Sequence, residues 1–488
     1  MRPVAVFLGW FWVCCWGPWV AAQEGRVDFS PTSSSLQAPS FSEVAVHDPS
    51  VIRDGSTYWV FGTHLTAGKS DDLMHWTRVA NGVRDDNPLI PNVSQELRET
   101  FAWATSRDLW APCVTKMPDG KYYQYYCSCQ GRSPLSALGV AVSDRIEGPY
   151  RNLRILLKSG QGVSEDGTPY NVNIHPNAID PHTFFDAKSN YWMVYGSYSG
   201  GIFIQKMDPK TGFQLPGQGY GKKLMGGNRS KIEGSYMQYS PQTRYYYLFA
   251  SFGELSVRGG YNIRVARSKN PDGPFRDPQG NDLTKCQGSG SDDLAALEPY
   301  GAKLIGNYRF LKENGEPTGI AYASPGHNST YFDPETGKYF IFFHTRFPNW
   351  GQSFQMRVHQ MFLNEDGWFV IAPHRYTGES LGAYTPESLE GTYALVNHGR
   401  DISPAMKDSV PIVLHRDGTI TGALTGRWKK RKEHEIRLTL DGIEYKGVAL
   451  RQWDDGLKKP VMAITALSSQ GTAIWASQLD AGANPDAR

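Results

Sequence analysis

The sequence predicts an all-β protein: a five-bladed β-propeller followed by a smaller, barrel-like all-β domain. Three observations predict it. Aromatic residues make up 13% of the 488 residues, beside 51 Gly and 31 Pro, a mixture that suits strands and turns. Five aromatic segments read alike along the first three quarters of the chain, and almost no stretch carries helical periodicity.

The five segments are 58–63 (YWVFGT), 122–127 (YYQYYC), 191–196 (YWMVYG), 245–250 (YYYLFA) and 339–344 (YFIFFH). Each follows a tight polar turn: RDGS at 53–56, PDGK at 118–121, DAKS at 186–189, SPQT at 240–243 and DPETG at 333–337. A short strand precedes every turn, so each unit reads as a β-hairpin. The segments start 64, 69, 54 and 94 residues apart, room for about four strands, which is the size of a propeller blade. Further strands fill the intervals: LGVAVS at 138–143 with GPY at 148–150 resembles YNIRVARS at 261–268 with GPF at 273–275. A β-sandwich would not need five matching units.

Beyond Pro373 the aromatic repeat stops. Short strands at 410–415, 435–440 and 473–476, with Asp-Gly turns at Asp417 and Asp441, read as a second domain. The domains expected are therefore a propeller over 23–375 and a β domain over 385–485. The basic run KKRK at 429–432 falls in the second and reads as a solvated strand edge.

At the N-terminus, Arg2 is followed by an apolar run over 4–20 and by Val20, Ala21 and Ala22 before Gln23 and Glu24. This is a secretory signal peptide over 1–22, cleaved after Ala22, with a signal anchor as the rival reading. The mature protein is expected to be extracellular, off the membrane and monomeric. With 50 Lys and Arg against 48 Asp and Glu the formal net charge is +2, which gives no footprint for nucleic acid. Cys113, Cys127, Cys129 and Cys286 remain after the signal, too few for a disulfide framework, although Cys113 could pair with Cys127 or Cys129 across one hairpin. Asn92, Asn228 and Asn328 head glycosylation triplets.

In a propeller the innermost strands converge on one axis. Counting back 9–12 residues from each aromatic segment reaches Asp48, Cys113, Asp180, Glu233 and His327. Three carboxylates and a histidine would then meet at the axis. An isolated Asp-Pro or Glu is ordinarily a turn or surface residue, but crowded buried carboxylates raise one another's pKa values, as chemistry requires. Two carboxylates in different environments can hydrolyse a glycosidic bond, one protonating the leaving oxygen and the other activating water. A third can hold and tune the acid. No phosphate loop, serine elbow or HExxH sequence appears.

The motifs HDP at 47–49, WAP at 110–112, IDPHT at 179–183 and KIEG at 231–234 resemble those of glycoside hydrolase family 43, in particular its two-domain endo-1,5-α-L-arabinanases. The resemblance implies an inverting enzyme that cuts α-1,5-linked arabinan, a plant cell-wall polysaccharide. Asp48 would be the general base, Glu233 the general acid and Asp180 the modulator of that acid. It implies substrate contacts at Trp110, Asn177, Ser197 and Ser199 as well as at the three acids. Inversion further implies that base and acid stand about 6.5–9.5 Å apart. It also implies a calcium ion in the channel, held through His327 and waters; zinc is disfavoured because no second and third His or Cys ligand aligns at the axis. Cys113 stands where many members carry Asp. An exo-acting α-L-arabinofuranosidase or β-xylosidase shares the same acids, and a non-catalytic carbohydrate-binding propeller would lack them.

Overall fold

The computed structural model describes residues 38–131 and 133–479, so the expected signal peptide lies outside the described residues. Its larger part is five four-stranded antiparallel sheets, each built from consecutive strands. Blade 1 comprises Ser50–Asp54, Thr57–Gly62, Thr66–Ser70 and Thr77–Ala80. Blade 2 comprises Leu109–Lys116, Tyr122–Cys129, Ser136–Ser143 and Arg151–Ser159. Blade 3 comprises His182–Phe185, Tyr191–Tyr195, Ile202–Met207 and Lys222–Met225. Blade 4 comprises Ile232–Ser240, Tyr245–Phe252, Asn262–Ser268 and Ala302–Ile305. Blade 5 comprises Ala323–Phe332, Tyr339–Arg346, Phe354–Leu363 and Phe369–Ile371. The first strands of successive blades touch in turn, and that of blade 5 returns to that of blade 1. The five sheets therefore form a closed ring, the five-bladed propeller that the hairpin repeat predicts.

The aromatic repeat follows from this packing. A strand turns alternate side chains to opposite faces of its sheet, and each blade is covered by a neighbour on both faces. Trp59 and Phe61 enter the core between blades 1 and 2, whereas Tyr58 and Val60 face blade 5. In blade 2, Tyr122 and Tyr126 join the first of these cores, and Tyr123, Tyr125 and Cys127 join the core with blade 3. Two apolar faces per strand explain why the repeat reads as a continuous run and not as alternation.

The strands Gly391–Asn397, Val410–Leu414, Thr419–Gly422, Gly426–Lys430, Glu435–Leu440, Ile443–Asp454, Lys459–Ser468 and Ala473–Gln478 close into a barrel. Ile412, Leu414, Ile436, Leu438 and Ile464 fill its interior. On its outside Val448, Leu450, Leu467 and Trp475 join the core of blades 4 and 5, with Tyr308, Tyr322, Phe343 and Phe369. A short parallel pairing of Tyr308–Arg309 with Lys407–Asp408 adds a second tie.

The basic run lies on a solvated strand end: Lys429, Arg431 and Lys432 are exposed, and Lys429 and Lys430 pair only with the strand Glu435–Leu440. Two expectations need correction. Cys113, Cys127, Cys129 and Cys286 are buried, free thiols; none is paired. Asn328 is buried, with only 2% of its surface exposed, and the folded chain presents no room there for a glycan.

Candidate active site

A residue with left-handed backbone stands near the inner start of every blade: Asp48 (φ 53°), Ala111 (25°), Asp180 (57°), Gly234 (60°) and His327 (47°). Such a conformation is unfavourable for non-glycine residues and persists only where surroundings enforce it. Equivalent hydrogen bonds enforce it in blades 1 and 3, where Thr63 N–H donates to the His47 carbonyl at 3.0 Å and Gly196 N–H to the Ile179 carbonyl at 2.9 Å. In blades 2, 4 and 5 the residue lies within an irregularity of strand pairing, a bulge that re-aims side chains.

This repeated bend gathers Asp48, Asp180, Glu233 and His327. Cys113 does not join them. The bend in blade 2 falls at Ala111, two residues earlier, and the Cys113 thiol is directed to His182 Nδ1 at 3.8 Å and Thr183 Oγ1 at 3.7 Å. Counting from the turn cannot register the extra residue of the bulge between Trp110 and Cys113.

Asp48 is 4% exposed and ringed by imidazoles. Its Oδ2 accepts a hydrogen bond from Thr63 Oγ1 at 2.5 Å and lies 2.8 Å from His47 Nδ1. Thr63 is held in turn by the Ala111 N–H at 3.0 Å, so the blade 2 bend supports the blade 1 carboxylate. The other oxygen, Oδ1, lies 3.1 Å from His327 Nδ1 and 3.4 Å from His344 Nδ1. Burial pushes the Asp48 pKa up, but His327, His47 and His344 together outweigh it and hold the carboxyl well below the usual range.

Glu233 has the opposite environment. The residue is half-buried, and desolvation of its carboxyl is the main cause of a pKa raised to about 7, with a further push from the Asp48 charge. Ser197 Oγ donates to its Oε2 at 2.8 Å and Tyr261 Oη to its Oε1 at 3.0 Å; both bonds favour the ionised form and limit the rise. Asp180, 5% exposed, has one donor in reach, the Gly234 N–H at 3.3 Å. Burial, then the charges of Glu233 and Asp48, push its pKa well up.

Of the expected substrate contacts, Ser197 reaches Glu233. Trp110 is half-buried, its Nε1 donates to the Cys129 carbonyl at 3.0 Å and its ring lies 5.1 Å from that of His64. Asn177 is tied to blade 2, its Oδ1 accepting from Ser136 Oγ at 2.5 Å and Ser159 Oγ at 3.4 Å. Ser199 is buried, and its carbonyl accepts from Arg229 N–H at 2.8 Å. His47, Thr63, Tyr261 and His344 were not singled out from sequence. His47 and His344 also correct the expectation that no second and third His or Cys aligns at the axis: each brings a side-chain atom within 4.8 Å of Asp48 and of the other.

Two carboxyls of opposed acidity, with a third beside them, are the equipment of a carboxylate-dependent glycoside hydrolase. The chain belongs to glycosyl hydrolases family 43, whose model matches residues 40–304, and residues 373–476 match the C-terminal lipocalin-like domain of that family. It is 55% identical to the extracellular endo-α-(1→5)-L-arabinanase 2 of Bacillus subtilis, over 92% of this chain and 96% of that protein. It is 54% identical to the extracellular endo-α-(1→5)-L-arabinanase of Thermotoga petrophila, over 91% and 96% respectively. A crystal structure of the family 43 YxiA protein from Bacillus licheniformis superposes with a TM-score of 0.89 at 55% identity, covering 91% of this chain and all (100%) of that one.

Proposed function

We propose that the protein is a secreted, monomeric, inverting hydrolase that cuts internal α-1,5-L-arabinofuranosidic bonds of arabinan. The observation that carries this reading is the opposed acidity of Asp48 and Glu233 at one axis. The two relatives more than half identical to this chain are both named endo-α-(1→5)-L-arabinanases, and both are named extracellular. No helix among the described residues is long and apolar enough to cross a membrane.

In this mechanism Glu233, protonated because burial raises its pKa, gives its proton to the glycosidic oxygen as the bond to the anomeric carbon breaks. Asp48, ionised beside its imidazoles, takes a proton from a water that attacks the anomeric carbon from the opposite face. Asp180 keeps Glu233 oriented through the Gly234 backbone and couples to its titration. Trp110, Asn177, Ser197 and Ser199 contact the sugar.

A hydrated cation fits beside the base. Asp48 Oδ1 is buried without a hydrogen-bond partner, and such an orphan acceptor marks a place for water or an ion. His327 turns Nδ1 to Asp48, which leaves Nε2 as its ligating nitrogen. Calcium held there through waters would favour the ionised carboxylate. Chelation should lower activity or thermal stability, calcium should restore it, and His327→Ala should reduce both. Metal analysis showing no bound ion, with full activity in excess chelator, would exclude the cation.

Linear arabinan is the substrate to test. A ladder of oligomers is expected; arabinose alone would mean exo action, and no cleavage would leave a binding propeller. N-terminal sequencing of exported protein should begin at Gln23.

A further inference from the structure

Arg346, at the end of the second strand of blade 5, is 4% exposed. Its Nη2 lies 3.4 Å from His47 Nε2, and its Nε donates to Gln352 Oε1 at 3.1 Å. Gln352 Oε1 also accepts the Val257 N–H at 3.2 Å, so loops of blades 4 and 5 hold the guanidinium in place. The His47 ring is fixed as well: it stacks on His344 with centroids 3.9 Å apart, and the Phe354 ring meets it edge-on at 4.9 Å.

A guanidinium only donates hydrogen bonds. Facing Arg346, His47 Nε2 must therefore be the acceptor nitrogen, and in the neutral ring the proton then resides on Nδ1. That nitrogen lies 2.8 Å from Asp48 Oδ2. The opposite tautomer would set an N–H against the guanidinium and a lone pair against the carboxylate. We propose that Arg346 is a positioning residue that fixes the His47 tautomer and thereby the orientation of Asp48, with no contact to substrate of its own. The logic is that of outer partners which orient a functional imidazole. The inference rests on the reading of Asp48 as general base.

The test is a double-mutant cycle on a defined arabino-oligosaccharide. Arg346→Met should lower kcat roughly 10–100-fold, the range for losing such an orienting partner, with KM within about twofold. Arg346→Lys, which still donates, should recover part of the loss. His47→Asn offers an amide N–H that needs no tautomer fixed, so adding Arg346→Met to it should change kcat by less than about threefold. Multiplying losses in the double variant, or a loss confined to KM, would overturn the proposal. Should the Arg346 variants fail to fold, nitrogen NMR of histidine-labelled wild-type protein decides: His47 protonated at Nδ1 is expected, and Nε2–H overturns it. Asp48→Asn separates the two readings, since near-native activity there would refute the base itself, whereas an inactive variant with multiplying losses refutes only the role of Arg346.

Discussion

Tyr261 donates its hydroxyl hydrogen to Glu233 Oε1 at 3.0 Å, and Ser197 Oγ donates to the other carboxyl oxygen at 2.8 Å. Each oxygen of the acid thus has one neutral donor, from blade 4 and blade 3 respectively. Both bonds stabilise the carboxylate, and they oppose the burial that raises the pKa to about 7. The acid is tuned by a balance of these effects, and the balance can be shifted.

Removing either donor should move it. Tyr261→Phe or Ser197→Ala takes away a bond to the ionised form, so the Glu233 pKa rises and the alkaline limb of the kcat/KM profile moves from near 7 to higher pH. A shift to lower pH would contradict the assignment of Glu233 as acid.

Removing the reacting groups has a larger effect. Asp48→Asn and Glu233→Gln should each reduce kcat by roughly 10²–10⁴-fold, the usual contribution of a general acid or base, while circular dichroism stays native. Asp180→Asn should also cripple turnover and displace the alkaline limb, because its titration is coupled to that of Glu233.

The raised acid also carries a stability cost whose sign is fixed. Glu233 titrates from an ordinary value of 4.5 in the unfolded chain and about 7 in the folded one. Between these values the folded state binds the additional proton, so stability falls as pH rises through the window, and the full cost is present above pH 7. Asp180, also raised, acts in the same direction. Glu233→Gln should therefore be more stable than wild type at pH 8, by on the order of 1–3 kcal/mol, and the difference should close near pH 4.5. Paired melting curves at the two pH values measure this.

Asp48, Asp180 and Glu233 all lie in the propeller, yet the barrel should be indispensable to folding. Truncation after Tyr384 would uncover Tyr308, Tyr322, Phe343 and Phe369, which pack with Trp475 and Leu450 in one core. The truncated chain is expected to be insoluble or unfolded. Trp475→Ala in the full chain should cost about 3–5 kcal/mol, measured by denaturant unfolding.

Much of this was legible in the sequence because it repeats. Five aromatic hairpins gave the blade count, and their common offset led to Asp48, Asp180, Glu233 and His327. The groups that complete the site do not repeat. Thr63 lies just beyond its strand, Tyr261 just before one, and His344 inside an aromatic run where it reads as core. Arg346 ends the same run. Cys113 was misplaced for a related reason: a bulge adds a residue that only pairing geometry can show.

Because every blade is made of consecutive strands, no strand from one end of the chain completes the sheet of the other. The seam between blades 1 and 5 is joined by side chains: Arg53 with Asp333 at 3.0 Å, Glu43 with Arg357 at 3.1 Å, and the Val51 N–H with Ser329 Oγ at 3.2 Å. Asp48 and His47 belong to one lip of that seam, and His327, His344 and Arg346 to the other. Any breathing of the ring at this lip pulls the base from His327 and His344 while the remaining blades stay folded. Under mild denaturant, hydrolysis should therefore fade before fluorescence reports unfolding, and its loss should reverse on dilution.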